Sequence, residues 1–174
     1  MSLTFDAGAS KIVIETFAEG MLSALAHDLR IEAREGEGKS DGDEHVVVTF
    51  PVRGLFLVES SKKGKGEYHA PSDGDRKDIE ARIKEQVFAG STAVTVHAEK
   101  SGAAVGLRVV GPRGEQSPRV RATVRVDGDV VVAEGDCDLS LATLGTGKVH
   151  VPMGAIRVKD QIRVRFRAVF RVIR

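Results

Sequence analysis

The chain has 174 residues, enough for one domain whose folding buries about two-thirds of the surface the unfolded chain exposes. Lys and Arg number 26 against 25 Asp and Glu, and the net charge of +1 removes any global electrostatic case for nucleic acid or an acidic membrane surface. The only cysteine, Cys137, excludes an intramolecular disulfide, and no run approaches about 18 uninterrupted apolar residues. As written, the sequence predicts a single cytoplasmic domain over 1–174, with no stable membrane insertion.

Taken in chain order, residues 11–17 are apolar enough for a strand, and a short helical turn is predicted near 21–26. Residues 28–35 alternate, with Leu29, Ile31 and Ala33 on one face and Arg30, Glu32 and Arg34 on the other. That period of two suits a sheet with one wet face. Gly38-Lys39-Ser40 imitates the end of a phosphate-binding loop, but Ala33 stands where the motif needs glycine and acidic residues follow, so a turn is predicted. Residues 45–52 and 55–58 read as strands. Residues 60–74, rich in Lys, Gly, Ser and Asp, read as a mobile loop.

A helix is predicted over about 75–88, where Ile79, Ile83 and Val87 recur every fourth residue and Asp75 is placed to cap the start. Further strands follow at 92–99, 104–110, 119–126 and 130–137, with Asp127-Gly128-Asp129 marking a tight hairpin. Gly145-Thr146-Gly147-Lys148 also resembles a phosphate loop, but Val149 occupies the Ser/Thr position, and it reads as a turn. The last strand, 162–172, sets Ile162, Val164, Phe166, Ala168, Phe170 and Val172 against Arg163, Arg165, Arg167 and Arg171. The whole is all-β with a minor helical part, organised as a barrel or a sandwich.

Catalytic patterns are missing from the sequence. No serine lies in a Gly-x-Ser-x-Gly turn, and Cys137 falls within a predicted strand. His45, His69, His97 and His150 occur singly, without metal-ligand spacing, and composition favours scattered surface histidines, so neither a metal nor another cofactor is predicted. The arginine rows of 119–125 and 162–172 lack aromatic stacking partners for nucleic acid, and read as a solvated face paired with acids. His27-Asp28 has two readings. The imidazole can hydrogen-bond a ligand head group, or the pair can cap the preceding turn and satisfy backbone groups. A hydrolase or isomerase built on these two residues ranks below a non-enzymatic role.

Three segments in order carry a family resemblance. Leu25-Ala26-His27-Asp28-Leu29-Arg30, Asp75-Arg76-Lys77-Asp78-Ile79 and Gly154-Ala155-Ile156-Arg157-Val158-Lys159-Asp160-Gln161-Ile162 resemble the "HDL", "Asp-Arg-x-x-Ile" and "G-x-(I/L)-x-V-K-D-x-(I/V)" motifs of the YceI-like proteins. The chain departs from the family pattern around Thr92, Val110 and Leu144. The resemblance implies an eight-stranded antiparallel lipocalin-like barrel around an apolar cavity, an apolar ligand of polyisoprenoid or quinone type, and a homodimer. The residues expected to line such a cavity are Phe17, Met21, Leu25, Phe56, Ile83, Val87, Phe88, Phe166 and Phe170, with His27 at the polar end. The competing expectation is that these side chains fill a solid core, leaving an interaction module without a small-molecule ligand.

Overall fold

The computed structural model of the chain describes residues 2–19, 27–40, 44–62, 66–151, 154–155 and 157–173. In chain order the strands are β1 (Ser2–Phe5), β2 (Lys11–Thr16), β3 (Ala18–Glu19), β4 (His27–Ala33), β5 (Glu37–Ser40), β6 (His45–Pro51) and β7 (Leu55–Lys62). After the helix α1 (Asp73–Arg82) come β8 (Ala93–Ser101), β9 (Ala104–Val110), β10 (Glu115–Gln116), β11 (Val120–Asp127) and β12 (Val130–Ser140). The chain closes with β13 (His150–Val151), β14 (Gly154–Ala155), β15 (Arg157–Val158) and β16 (Gln161–Ile173). The predicted helical turn near 21–26 lies outside the described residues.

β16 organises the sheet. Along one side, residues 161–171 pair with β12, which pairs in turn with β11. Along the other side, residues 163–167 pair with β2 and residues 170–173 with β1. β1 and β2 therefore lie in line, interrupted by a turn over residues 6–10 in which Ser10 Oγ accepts the Val169 N–H at 2.9 Å. Two arms grow from this seam: β2–β4–β7, and β1–β5–β6–β8–β9–β10.

The expected eight-stranded barrel is corrected by this topology. Twelve strands form one sheet, and among the described residues its ends are not joined by a ladder. β9 comes alongside β11, but the hydrogen-bonding edge of Val109 and Val110 is taken by β10, which folds back onto it. The other arm ends at β7, whose free edge is covered by the helix instead of by a strand.

Gly38-Lys39-Ser40, expected to be a turn, is part of β5 and pairs with Val46–Val48. The β11–β12 hairpin turns on Gly128 and Asp129, with positive φ (58°) at Gly128 alone, the pattern of a II′ turn with glycine at its first central position. Outward residues of β12 sit between arginines of both neighbours. Glu134 accepts from Arg125 Nη2 at 2.8 Å and from Arg167 Nε at 3.1 Å, and Asp136 is paired with Arg121. Arg163 is held by Asp138 and Arg165 by the buried Glu15 at 2.7 Å. The arginine rows are thus interleaved with acids and form no free basic patch.

α1 is capped three residues before the predicted cap. Ser72, in extended conformation, accepts the Asp75 N–H on its Oγ at 3.1 Å. The helix passes into a π-helical turn, Ile83–Val87, and lays Ile79, Ile83 and Phe88 against Ile31, Val52, Leu55 and Leu57. It also satisfies the open edge of β7. Glu80 Oε1 accepts the Leu57 N–H at 2.9 Å, and Arg76 Nε donates to the Leu57 carbonyl at 3.0 Å. An edge strand presents unpaired backbone groups that invite another strand, and here two helical side chains occupy them. Further along, Ser60 and His69 exchange both backbone hydrogen bonds at 2.9 Å, so the loop after β7 extends the cover. No helix among the described residues is long and apolar enough to cross a membrane.

Candidate functional site: an apolar cavity within the curled sheet

Alternation places one face of each long strand toward a common interior. Ile12 and Ile14 come from β2, Val94, Val96 and Ala98 from β8, and Val105, Leu107 and Val109 from β9. Ala133, Cys137 and Leu139 of β12 and Val164, Phe166 and Phe170 of β16 form the opposite wall. Phe50, Val52, Leu55, Ala33 and Phe88 complete the lining. Between Ala133 and Cys137 the inward position is Gly135, where a Cβ would stand 2.1 Å from the Arg121 carbonyl oxygen, so β11 and β12 reach their close approach only without a side chain there.

These walls line a partly open cavity of about 170 Å3, and every lining side chain is apolar apart from the thiol of Cys137. Burial pushes that thiol up to about 11, with Asp138 and then Asp136 adding to the shift, so it stays protonated and behaves as a small apolar group. An apolar wall gives water nothing to replace its lost bonds, and engineered apolar cavities of about 150 Å3 admit a benzene-sized guest. What the arrangement can do chemically is hold hydrocarbon.

The predicted lining residues divide. Phe88, Phe166 and Phe170 line the cavity. Ile83 packs with the Leu57 cluster, and Val87, half-buried on the π-helical turn, meets the 145–148 turn through its carbonyl, which accepts the Gly147 N–H at 2.7 Å. Phe56 is not in the wall: it lies under Arg34, whose guanidinium carbon is 3.9 Å from the ring centre, with Arg76 at 4.8 Å. Phe17 is half-buried beyond the end of β2 and away from the lining. His27 is exposed at the start of β4, while Asp28 Oδ1 accepts the Ala18 N–H at 2.8 Å. Asp28 thus satisfies a backbone group, as in the second reading; the preceding turn it was expected to cap lies outside the described residues. Met21 and Leu25 lie outside the described residues.

Residues missed from the sequence are mostly the aliphatic ones of β2, β8, β9 and β12, with Phe50, Val52 and Leu55 beside them; inward alternation is the signal that finds them, and the expected lining does not follow it. Outside the cavity, a polar hollow bounded by Glu35, Glu37, Arg53 and Lys84 shares Val52 with it, and Arg53 Nε is held by Glu35 at 3.2 Å. No group of three or more metal-binding side chains is found among the described residues.

No protein-family model and no curated protein matches the chain. Solved structures do. A polyisoprenoid binding domain from Saccharophagus degradans, implicated in plant cell wall breakdown, is similar with a TM-score of 0.68 at 10% identity, covering 98% of both chains. BcnA of Burkholderia cenocepacia is similar with a TM-score of 0.62 at 12% identity, covering 95% of this chain and 98% of that one. At such identities the likeness is one of fold, and at that level it agrees with the YceI-like resemblance.

Proposed function

We propose that this protein is a non-catalytic binding protein that receives the apolar end of a lipid-like ligand, of isoprenoid type, in the cavity between β8–β9 and β12–β16. The observation that carries the reading is the wholly apolar wall: it offers no hydrogen-bond partner or charge, so whatever enters must be hydrocarbon. Covering about 100 Å2 of such a guest contributes roughly 2.5 kcal/mol. The binding role of the Saccharophagus domain supports the choice of an isoprenoid over a straight chain.

Size sharpens the reading. At about 170 Å3 the space is below the roughly 300–1,000 Å3 usual for sites that engulf a drug-sized ligand. A long polyprenyl chain does not fit inside. The cavity takes a short branched end, and the polar end stays outside. Organic extraction of purified protein followed by mass spectrometry tests this, together with titration by geraniol, farnesol and a long polyprenol. Retained isoprenoid lipid, or saturable binding of geraniol, is the expected result. A reproducibly empty extract with no binding of any of the three leaves a solid-core interaction module as the correct reading.

A further inference from the structure

A second site stands on the outer face of the sheet, independent of the cavity. β6 and β8 are antiparallel neighbours with Val47 opposite His97 and His45 opposite Glu99. Because Val48 is buried in the core and Val96 and Ala98 line the cavity, alternation turns His45 and His97 outward, diagonal to each other on one face. Their rings are stacked, with centroids 5.5 Å apart and planes at 16°, and His97 Nδ1 and His45 Nε2 share a 3.4 Å hydrogen bond, whose proton a metal ion bound between them would displace. Residues more than fifty apart in sequence thus present two imidazole nitrogens side by side, which spacing alone could not show.

We infer that His45 and His97 form a two-point clamp for a borderline-soft divalent cation such as Zn2+, Ni2+ or Cu2+. Two imidazole nitrogens at about 2.0–2.1 Å from one tetrahedral ion stand about 3.3 Å apart, close to the observed separation. Imidazole ligands select these metals over Mg2+ or Ca2+, which prefer oxygen.

The surroundings set the strength of the site. Arg108, directly opposite His97 on β9, repels a cation, although Glu115 Oε2 takes its Nη1 at 3.0 Å and offsets part of that charge. Glu99 stands opposite His45 in the register, yet no third donor converges with the two rings among the described residues. Two protein ligands leave the remaining positions to water or to a donor from another molecule. The clamp is an open, moderate-affinity site, in contrast to a closed structural one.

The test is titration of the untagged chain with Zn2+ and Ni2+ by calorimetry, alongside His45→Gln, His97→Gln and Arg108→Gln. Far-UV circular dichroism checks that each variant keeps its sheet. One ion per chain is expected, with affinity falling by about tenfold or more in either histidine variant and rising in Arg108→Gln, where the repelling charge is gone. Unchanged binding in both histidine variants, no binding by the native chain at millimolar metal, or weaker binding in Arg108→Gln overturns the assignment. None of these results depends on whether the cavity holds a lipid.

Discussion

Replacing Glu80 tests the way the helix closes the sheet. Its Oε1 accepts the N–H of Leu57, whose side chain is fully buried (0% exposed), on the edge of β7 that has no strand partner among the described residues. Glu80→Ala leaves that N–H without its acceptor inside a packed cluster, and an unmet buried donor costs about 1–3 kcal/mol. Helix propensity works the other way, because alanine is the best helix former, so a loss cannot be blamed on α1 itself. For a chain of this size the loss corresponds to a fall in Tm of about 2–10 °C. Glu80→Gln retains an oxygen acceptor and is expected to lose less than half as much. Glu85→Ala, at an exposed position on the same helical segment, serves as the control. Thermal and urea unfolding supply the stabilities, and amide exchange at Leu57 reports the bond directly. A Glu80→Ala variant within about 0.5 kcal/mol of native, with Leu57 exchange unchanged, refutes the edge-capping role.

Other consequences follow from titratable groups. The Cys137 thiol, raised to about 11, is expected to resist alkylation by iodoacetamide at pH 8, where roughly one molecule in a thousand carries a thiolate, and to react readily in urea. A native rate equal to that of free cysteine contradicts its burial. Asp160 is held below the ordinary carboxylate range by its hydrogen bond with the Ser140 side chain and by the Ala142 N–H at 2.8 Å, and Asp6 by Arg171 and the Ala9 N–H. Since the unfolded chain takes up these protons first, the contribution is present at neutral pH and lost as pH falls below about 4 through the lowered folded values. Asp160→Asn is therefore expected to lower stability at pH 7 and to flatten its acid dependence; an unchanged slope on acidification counts against this linkage.

Much of the fold was legible because period two survives wherever one face is wet. The bounds of β9 follow from its apolar run, and those of β11 and β16 are legible to within a residue because apolar and charged side chains alternate along them; β12, whose first four residues carry no charge, runs three residues past its expected end. What was illegible was long-range pairing. Nothing local in Glu115–Gln116 says that it folds back on β9 and keeps the sheet open, nor that β1 and β2 share one side of β16. Gly38 looked like a turn because glycine usually marks one; here it is needed where a Cβ would stand 2.5 Å from the Val47 carbonyl oxygen. Phe56 was misplaced for a different reason. A large aromatic side chain reads as interior, whereas two guanidiniums cover this ring on the outside. The histidine pair is a product of strand register and could be seen only once β6 and β8 were aligned.

The central claim is that the apolar cavity is the ligand site, and filling it tests that claim most directly. Ala98 points into it from β8, opposite Leu107, and Ala98→Phe puts an aromatic ring into about 170 Å3 of free space. Calorimetric titration of the native chain and of this variant with geraniol, with folding checked by circular dichroism, is the measurement. The account predicts saturable one-to-one binding by the native chain and a loss of about tenfold or more in affinity in the folded variant. Equal affinity in both places the ligand elsewhere and contradicts it.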